Sequence, residues 1–205
     1  MSKKIMFNDK FGLTQAVLDG RKTMTRRIFY IPDKLVPYLD IYDIFDIVDD
    51  CIIWKDKSDN IRMTFEPKYK VGEVVAIAQS YKDIGYNGEY SWVQDGIHYH
   101  RDRAAGWANK MFVKVNLMPH HIEITDIKVE RLQDISDEDC LKEGIVKGKC
   151  GSESTHFMDA YYVPKEKQPY CTPRDAFEVL IDKVSGKGVF KSNPYVFVYE
   201  FKLLD

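Results

Sequence analysis

Apolar and polar positions along this chain change period several times, and each change marks an element. Phe11, Leu13, Ala16, Val17 and Leu18 recur at helical spacing and predict a helix over residues 8–19. Gly20 falls where that helix must stop, since glycine takes the left-handed conformation cheaply. Ser136 begins a second helix over 136–143, with Asp139 placed three residues on as in a capping box and Gly144 ending it. Acids in its first turn suit the positive end of the helix dipole. Thr172-Pro173 starts a third helix over 173–184, with Phe177, Leu180, Ile181 and Val184 as its apolar face.

Other segments carry the two-residue period of strands. Cys51-Ile-Ile-Trp and Ile61-Arg-Met-Thr-Phe read as two strands around a polar turn at 55–60. Val74 to Ala78 is a continuous apolar run, the pattern of a buried strand. Lys110 to Val115 alternates apolar and basic side chains, and Ile122 to Leu132 alternates well enough for a half-buried strand. Tyr195-Val-Phe-Val-Tyr-Glu-Phe-Lys-Leu is strongly strand-like. Residues 82–110 form a long excursion rich in aromatics and charge, and residues 146–172 read as a polar surface loop. The order of elements predicts an α+β fold, a barrel-like sheet with helices at its ends. It forms a single domain over 1–205, with insertions at about 30–68, 82–110 and 146–172.

Composition narrows the function classes. The 205 residues are 44% hydrophobic, enough for a core without staples, and the net charge of -2 excludes a general nucleic-acid-binding polycation. No apolar run is long enough for a signal peptide or a membrane span, so the expected location is cytoplasmic. Cys51, Cys140, Cys150 and Cys171 form no C-x-x-C pair and read as reduced thiols. Cys150, His156 and Cys171 match no usual zinc spacing, and no motif calls for a metal or other cofactor.

The chemistry concentrates in Gly20-Arg-Lys-Thr-Met-Thr-Arg-Arg, four cations and two threonines after a glycine. One reading is a solvated basic turn that binds phosphate or RNA through Arg21, Arg26 and Arg27. Another is a nucleophile–base pair. A threonine hydroxyl needs a base, and a lysine serves only if burial or nearby cations lower its pKa. In an unbroken strand Lys22 and Thr25 point to opposite faces, so joint action requires Lys22 to stay in the turn after Gly20. Thr23 is the alternative hydroxyl. Tyr81, Tyr86, Tyr90, Trp92, Tyr99 and Trp107 are candidates for base stacking or for packing. Arg101, Arg103, Lys110 and Lys114 are candidates for extending a basic surface. His98, His100, His120 and His121 are weaker candidates as metal ligands.

Four segments together resemble the ASCH domain family. Gly20-Arg-Lys-Thr-Met-Thr-Arg-Arg resembles its G-R-K-T-x-T-x-R signature, and Tyr69-Lys-Val-Gly-Glu resembles the approach to a barrel strand. Val129 to Ile145 resembles its strand-to-helix segment, and Asn193 to Phe201 its closing strand. The matches come in family order and span nearly the whole chain. The resemblance implies a PUA-like β-barrel that binds RNA or a modified nucleoside or nucleotide. It also implies an alternative, an amidohydrolase acting on N4-acylated cytidine, with Lys22, Thr25 and Glu143 as catalytic residues. Arg21, Thr23, Arg26, Arg27 and Gln79 are then expected to bind ligand. Ala78-Gln79 stands where larger members carry Arg-Glu, which removes a charge pair expected to face the cleft.

Overall fold

A computed structural model describes residues 3–35, 37, 44–84, 92–94, 97–99, 105–153 and 156–204. The fold is mixed α+β. Its centre is a five-stranded sheet built from β1 (Lys4–Ile5), β2 (Met24–Ile28), β6 (Val74–Ile77), β9 (His121–Arg131) and β13 (Tyr195–Leu203), in the order β1-β6-β9-β13-β2. β1 runs parallel to β6, and the remaining pairs are antiparallel. The long β9–β13 pair forms the middle of the sheet, with a register shift between Glu200 and Phe201. Val196, Phe197, Val198 and Tyr199 are all buried, so both faces of β13 are covered rather than one.

Among the described residues no ladder joins β1 to β2, so the sheet is not a closed barrel. Its two edges nevertheless approach. The Arg27 guanidinium Nη2 of β2 donates to the Met6 carbonyl, just past β1, at 2.6 Å. Phe7 packs on Phe201 with ring centroids 5.7 Å apart, which carries the chain beyond β1 across the inside of the curved sheet.

Among the described residues three small sheets lie outside the central one. β3 (Ile44–Val48), β4 (Cys51–Lys55) and β5 (Ile61–Phe65) form an antiparallel meander, and β7 (Trp92–Gln94) pairs with β8 (Ile97–Tyr99). The meander is fastened where β2 ends. Phe29 packs against Phe45, Phe65 and Phe197, and the Tyr195 hydroxyl donates to the Phe45 carbonyl at 2.8 Å.

β10 (Val146–Ser152) and β11 (His156–Tyr162) form a seven-pair hairpin, extended by β12 (Pro169–Tyr170). This replaces the surface loop expected over 146–172. Most of the hairpin's side chains are exposed, so backbone pairing holds it and its sequence has no apolar alternation. Residues 110–112 and 115–117 are 3-10 turns, not a strand, because Asn109 caps the first by accepting from the Met111 N–H.

The helices are α1 (Leu13–Leu18), α2 (Asp137–Lys142), α3 (Pro173–Ser185) and the short α4 (Val189–Ser192). α1 starts later than the apolar spacing predicts because Gly12 is left-handed, with φ 63°, and the chain before it is held in turns. The other two predicted helices fall within a residue of expectation. No helix among the described residues is long and apolar enough to cross a membrane.

Candidate functional site

Two helix ends create the site. At the end of α1 the Arg21 N–H bonds the Ala16 carbonyl and the Gly20 N–H bonds the Val17 carbonyl, with Gly20 at φ 71°. At the end of α2 the Ile145 N–H bonds the Cys140 carbonyl and the Gly144 N–H the Leu141 carbonyl, with Gly144 at φ 106°. Both are Schellman closures, which need a left-handed residue after the last turn. The first delivers Lys22 into the interior and the second leaves Glu143 as the C-cap of α2. The Thr23 N–H then bonds the Lys142 carbonyl at 3.0 Å, which locks one turn to the other.

Lys22 lies in the turn, before β2 begins at Met24. It is only 2% exposed. Its ammonium donates to the Met24 carbonyl at 2.7 Å, the Glu143 carbonyl at 2.8 Å and Glu143 Oε2 at 2.5 Å, so all three hydrogens are used. Burial lowers the Lys22 pKa, and Arg27 and Arg26 add to the drop, although Glu143 opposes it.

Arg26 completes the network. Its side chain is fully buried and its guanidinium contacts three carboxylates: Glu130 at 2.7 Å, Asp139 at 2.9 Å and Glu143 at 3.3 Å. Burial alone would depress the Arg26 pKa, but Glu143 and Glu130 outweigh it and raise it. Lys128 joins Glu130 at 3.1 Å and Asp139 at 3.3 Å, so three cations face three carboxylates. Ser136 does cap α2, accepting from the Asp139 N–H at 3.1 Å, but the Asp139 carboxylate turns to Arg26 and Lys128 instead of closing the box.

That network sets a pH dependence. Burial would raise the Asp139 carboxyl, but Arg26 and Lys128 outweigh it and hold it below the ordinary 3.8. A carboxyl with a lower pKa folded than unfolded contributes stability above the unfolded value and loses it as pH falls through the folded one. Thermal melting is expected to fall steeply below about pH 4, and Asp139→Asn to flatten that fall while lowering stability at neutral pH.

Above this network opens a cavity of about 290 Å³ whose lining includes Lys22, Thr25, Arg26, Arg27 and Glu143. One wall is Met6, Phe7 and Asn8; the other is the end of the α3 apolar face, Phe177, Leu180, Ile181 and Val184. Thr25 is buried, and among the described residues its hydroxyl has no hydrogen-bond partner. Cys140 of α2 is no rival nucleophile, because burial pushes its thiol up to about 12.

The cavity lies along an open sheet edge. The Phe29 N–H bonds the Tyr195 carbonyl and the Phe201 N–H the Thr23 carbonyl. Antiparallel alternation therefore turns the peptide groups of Thr23, Thr25, Arg27 and Phe29 toward β13. Those of Met24, Arg26 and Ile28 point outward, and the Met24 carbonyl is the one that receives Lys22.

The other expected ligand-binding residues are not in this cavity. Arg21 is exposed and paired with Asp19 at 2.8 Å. Thr23 serves the turn through its backbone. Gln79 lines a separate cavity of about 340 Å³ with Asp9, Thr14, Asp83 and Lys165, and its buried Oε1 has no hydrogen-bond partner. The basic run is thus not a continuous cationic face: Lys22 and Arg26 are neutralised inside and Arg21 on the surface. Tyr86, Tyr90, His100, Arg101 and Arg103 lie outside the described residues, as do the side chains of Trp92, His98 and Tyr99. Tyr81 is buried in a small cluster with Val113 and Met118, against which Trp107 packs, so both serve packing. The Lys110 ammonium is tied to Asp9 at 2.7 Å. Among the described residues no His, Cys, Asp or Glu group of three could hold a metal ion.

Glu130, Asp139 and Lys128 escaped the sequence reading. Their signal was there in part: Lys128 and Glu130 share one face of an alternating strand, and Asp139 follows the N-cap by three. Nothing in the sequence connects them to Arg26, which reaches them across the sheet. Comparisons with family models, with curated proteins and with solved structures find no match.

Proposed function

We propose that the protein is an amidohydrolase acting on an N4-acylated cytidine, with Thr25 as nucleophile, Lys22 as base and Glu143 as proton acceptor. The observation that carries the proposal is the convergence of these three residues on one cavity, from a turn, a strand and a helix end. The sequence resemblance to the ASCH family predicts the same three. On this reading the curved sheet is a PUA-like barrel whose gap between β1 and β2 is the substrate opening.

The chemistry follows from the pair at the cavity floor. As an ammonium, Lys22 cannot be a base. Moving one proton from Nζ to Glu143 Oε2, an atom 2.5 Å away, leaves a neutral amine beside a neutral carboxyl. Substrate that excludes water favours this neutral pair, since desolvation penalises both charges. The Lys22 amine then takes the Thr25 hydroxyl proton as Oγ1 attacks the acyl carbon. Collapse of the tetrahedral adduct breaks the carbon–N4 bond, with the proton on Lys22 passing to the departing amine. The resulting Thr25 ester is hydrolysed by water with Lys22 again as base. On this reading the outward peptide N–H groups of Arg26 and Ile28, residues that line the same cavity, donate to the developing oxyanion.

The test is release of cytidine from N4-acetylcytidine, followed by chromatography. Turnover by the native protein is expected well above that of Thr25→Ala at neutral pH, since transfer inside the Lys22–Glu143 pair makes the amine without losing a proton to solvent. Turnover no faster than that of Thr25→Ala overturns the assignment.

RNA or nucleotide binding without catalysis is the second reading. What favours it is the Arg27 guanidinium, which has no carboxylate partner among the described residues.

A further inference from the structure

Arg26 and Arg27 are neighbours with opposite electrostatic situations. Arg26 is saturated by three carboxylates. The partly buried Arg27 has no carboxylate partner among the described residues, and its only hydrogen bond goes from Nη2 to the Met6 carbonyl. Its guanidinium lies 5.8 Å from the centre of the Phe7 ring. A guanidinium carries five N–H donors, so most of its capacity is unused.

Its position gives that capacity a direction. Arg27 lines the cavity above Lys22 and also a second cavity of about 320 Å³ with Glu66, Lys68, Tyr69 and Tyr199. Met6, Arg27 and Ile28 line both. In the second cavity the Tyr199 hydroxyl accepts from the Lys68 N–H at 2.9 Å, so its own hydrogen remains to be donated. Lys68 is exposed, and its ammonium lies 5.4 Å from the Tyr69 ring centre. Glu66 is the carboxylate lining this cavity; it is exposed and makes no ion pair with Arg27. Lys4 contributes only its stem, because its ammonium is committed to the carbonyls of Lys110, Met111 and Val113.

We propose that Arg27 anchors a phosphate, so that the ligand is a phosphorylated nucleoside whose base occupies the cavity above Lys22 and whose phosphate turns into the second cavity. The inference rests on the hydrolase reading only for where the base lies. The chemistry favours phosphate over a neutral ligand because charge-assisted bonds from the unused fork of the half-buried guanidinium suit phosphate oxygens. Burial also lowers the Arg27 pKa from its ordinary value, and Glu143, which pulls the other way, does not fully offset it.

The experiment compares binding of cytidine 5′-monophosphate, cytidine and inorganic phosphate by calorimetry, without any need for turnover. The monophosphate is expected to bind at least about tenfold tighter than cytidine at low salt, the scale of one hydrogen bond to a charged group. That advantage should shrink as salt rises. Inorganic phosphate should compete with the monophosphate and not with cytidine. Arg27→Gln should bring the two affinities together, and Arg27→Lys should restore part of the gap. If Arg27→Gln fails to fold, phosphate competition and salt dependence on the native protein still decide. Equal affinity for cytidine and its monophosphate, or no binding of the monophosphate, overturns the proposal.

Pentacytidylate separates the two sources of phosphate. Tighter and more salt-sensitive binding than the monophosphate assigns the site to an RNA strand; otherwise it belongs to a free nucleotide. Failure of the two proposals is distinguishable. An Arg27-dependent phosphate preference without deacetylation removes the hydrolase and leaves the anchor, and deacetylation without that preference does the reverse.

Discussion

Replacing Arg26 with alanine is expected to lower the melting temperature by about 10 °C or more. Removing one partner of a buried ion pair costs about 3–5 kcal/mol, because the remaining charge is left uncompensated. In a chain of 205 residues each kcal/mol moves the midpoint by about 2–4 °C. Here a single guanidinium serves Glu130, Asp139 and Glu143, whose side chains are 14%, 12% and 7% exposed. Its loss leaves three carboxylates gathered around Lys22 and Lys128. Arg26→Lys should recover only part of the loss, because an ammonium is a point donor and cannot fork between three carboxylates. Scanning calorimetry or thermal circular dichroism reads the effect. A midpoint for Arg26→Ala within about 2 °C of the native protein would mean that the network contributes nothing to folding.

Thr25→Ala is expected to abolish turnover of N4-acetylcytidine, by about a thousandfold or more, while leaving stability within about 1 kcal/mol. The split is the informative part. The Thr25 hydroxyl has no hydrogen-bond partner among the described residues, so its removal breaks no bond in the folded chain. Lys22→Ala is a poorer probe. It strands Glu143 against a cavity wall, and its inactivity would mix lost chemistry with lost structure. Thr25→Ser should retain activity, because it keeps the oxygen and loses only a methyl group. A fully active Thr25→Ala would move the nucleophile to a water molecule and leave Lys22 and Glu143 to activate it.

The helix ends were legible because short-range chemistry fixes them. Gly20, Gly144, Ser136 and Thr172-Pro173 mark boundaries through their own backbone or side-chain preferences, and α2 and α3 begin where they say. The strands over 51–55, 61–65, 74–77, 121–131 and 195–203 were legible from their apolar content. The hairpin over 146–162 was not, since its order resides in cross-strand backbone bonds between exposed residues. At the site, Lys22, Thr25 and Glu143 are the residues that the family resemblance picks out. The partners of Arg26 come from β9 and α2, more than a hundred residues later in the chain, and no local pattern announces such a meeting. Gln79 fails as a member of this cavity for the same reason: the strand before it was recognisable, but where its side chain would open was not.

The edge of β2 has a consequence for how the molecule behaves in a crowd. An unpaired row of peptide groups is a template onto which a strand of another chain can add, and that is how many folded proteins begin to associate. β2 presents such a row at Met24, Arg26 and Ile28, and two side chains obstruct it. Lys22 occupies the Met24 carbonyl, and the Arg27 side chain reaches across to the Met6 carbonyl on the opposite lip. An incoming strand would have to displace that arm and bury its charge without a counter-ion. Lys22 and Arg27, which line the cleft, thus also stand in the way of strand addition at this edge.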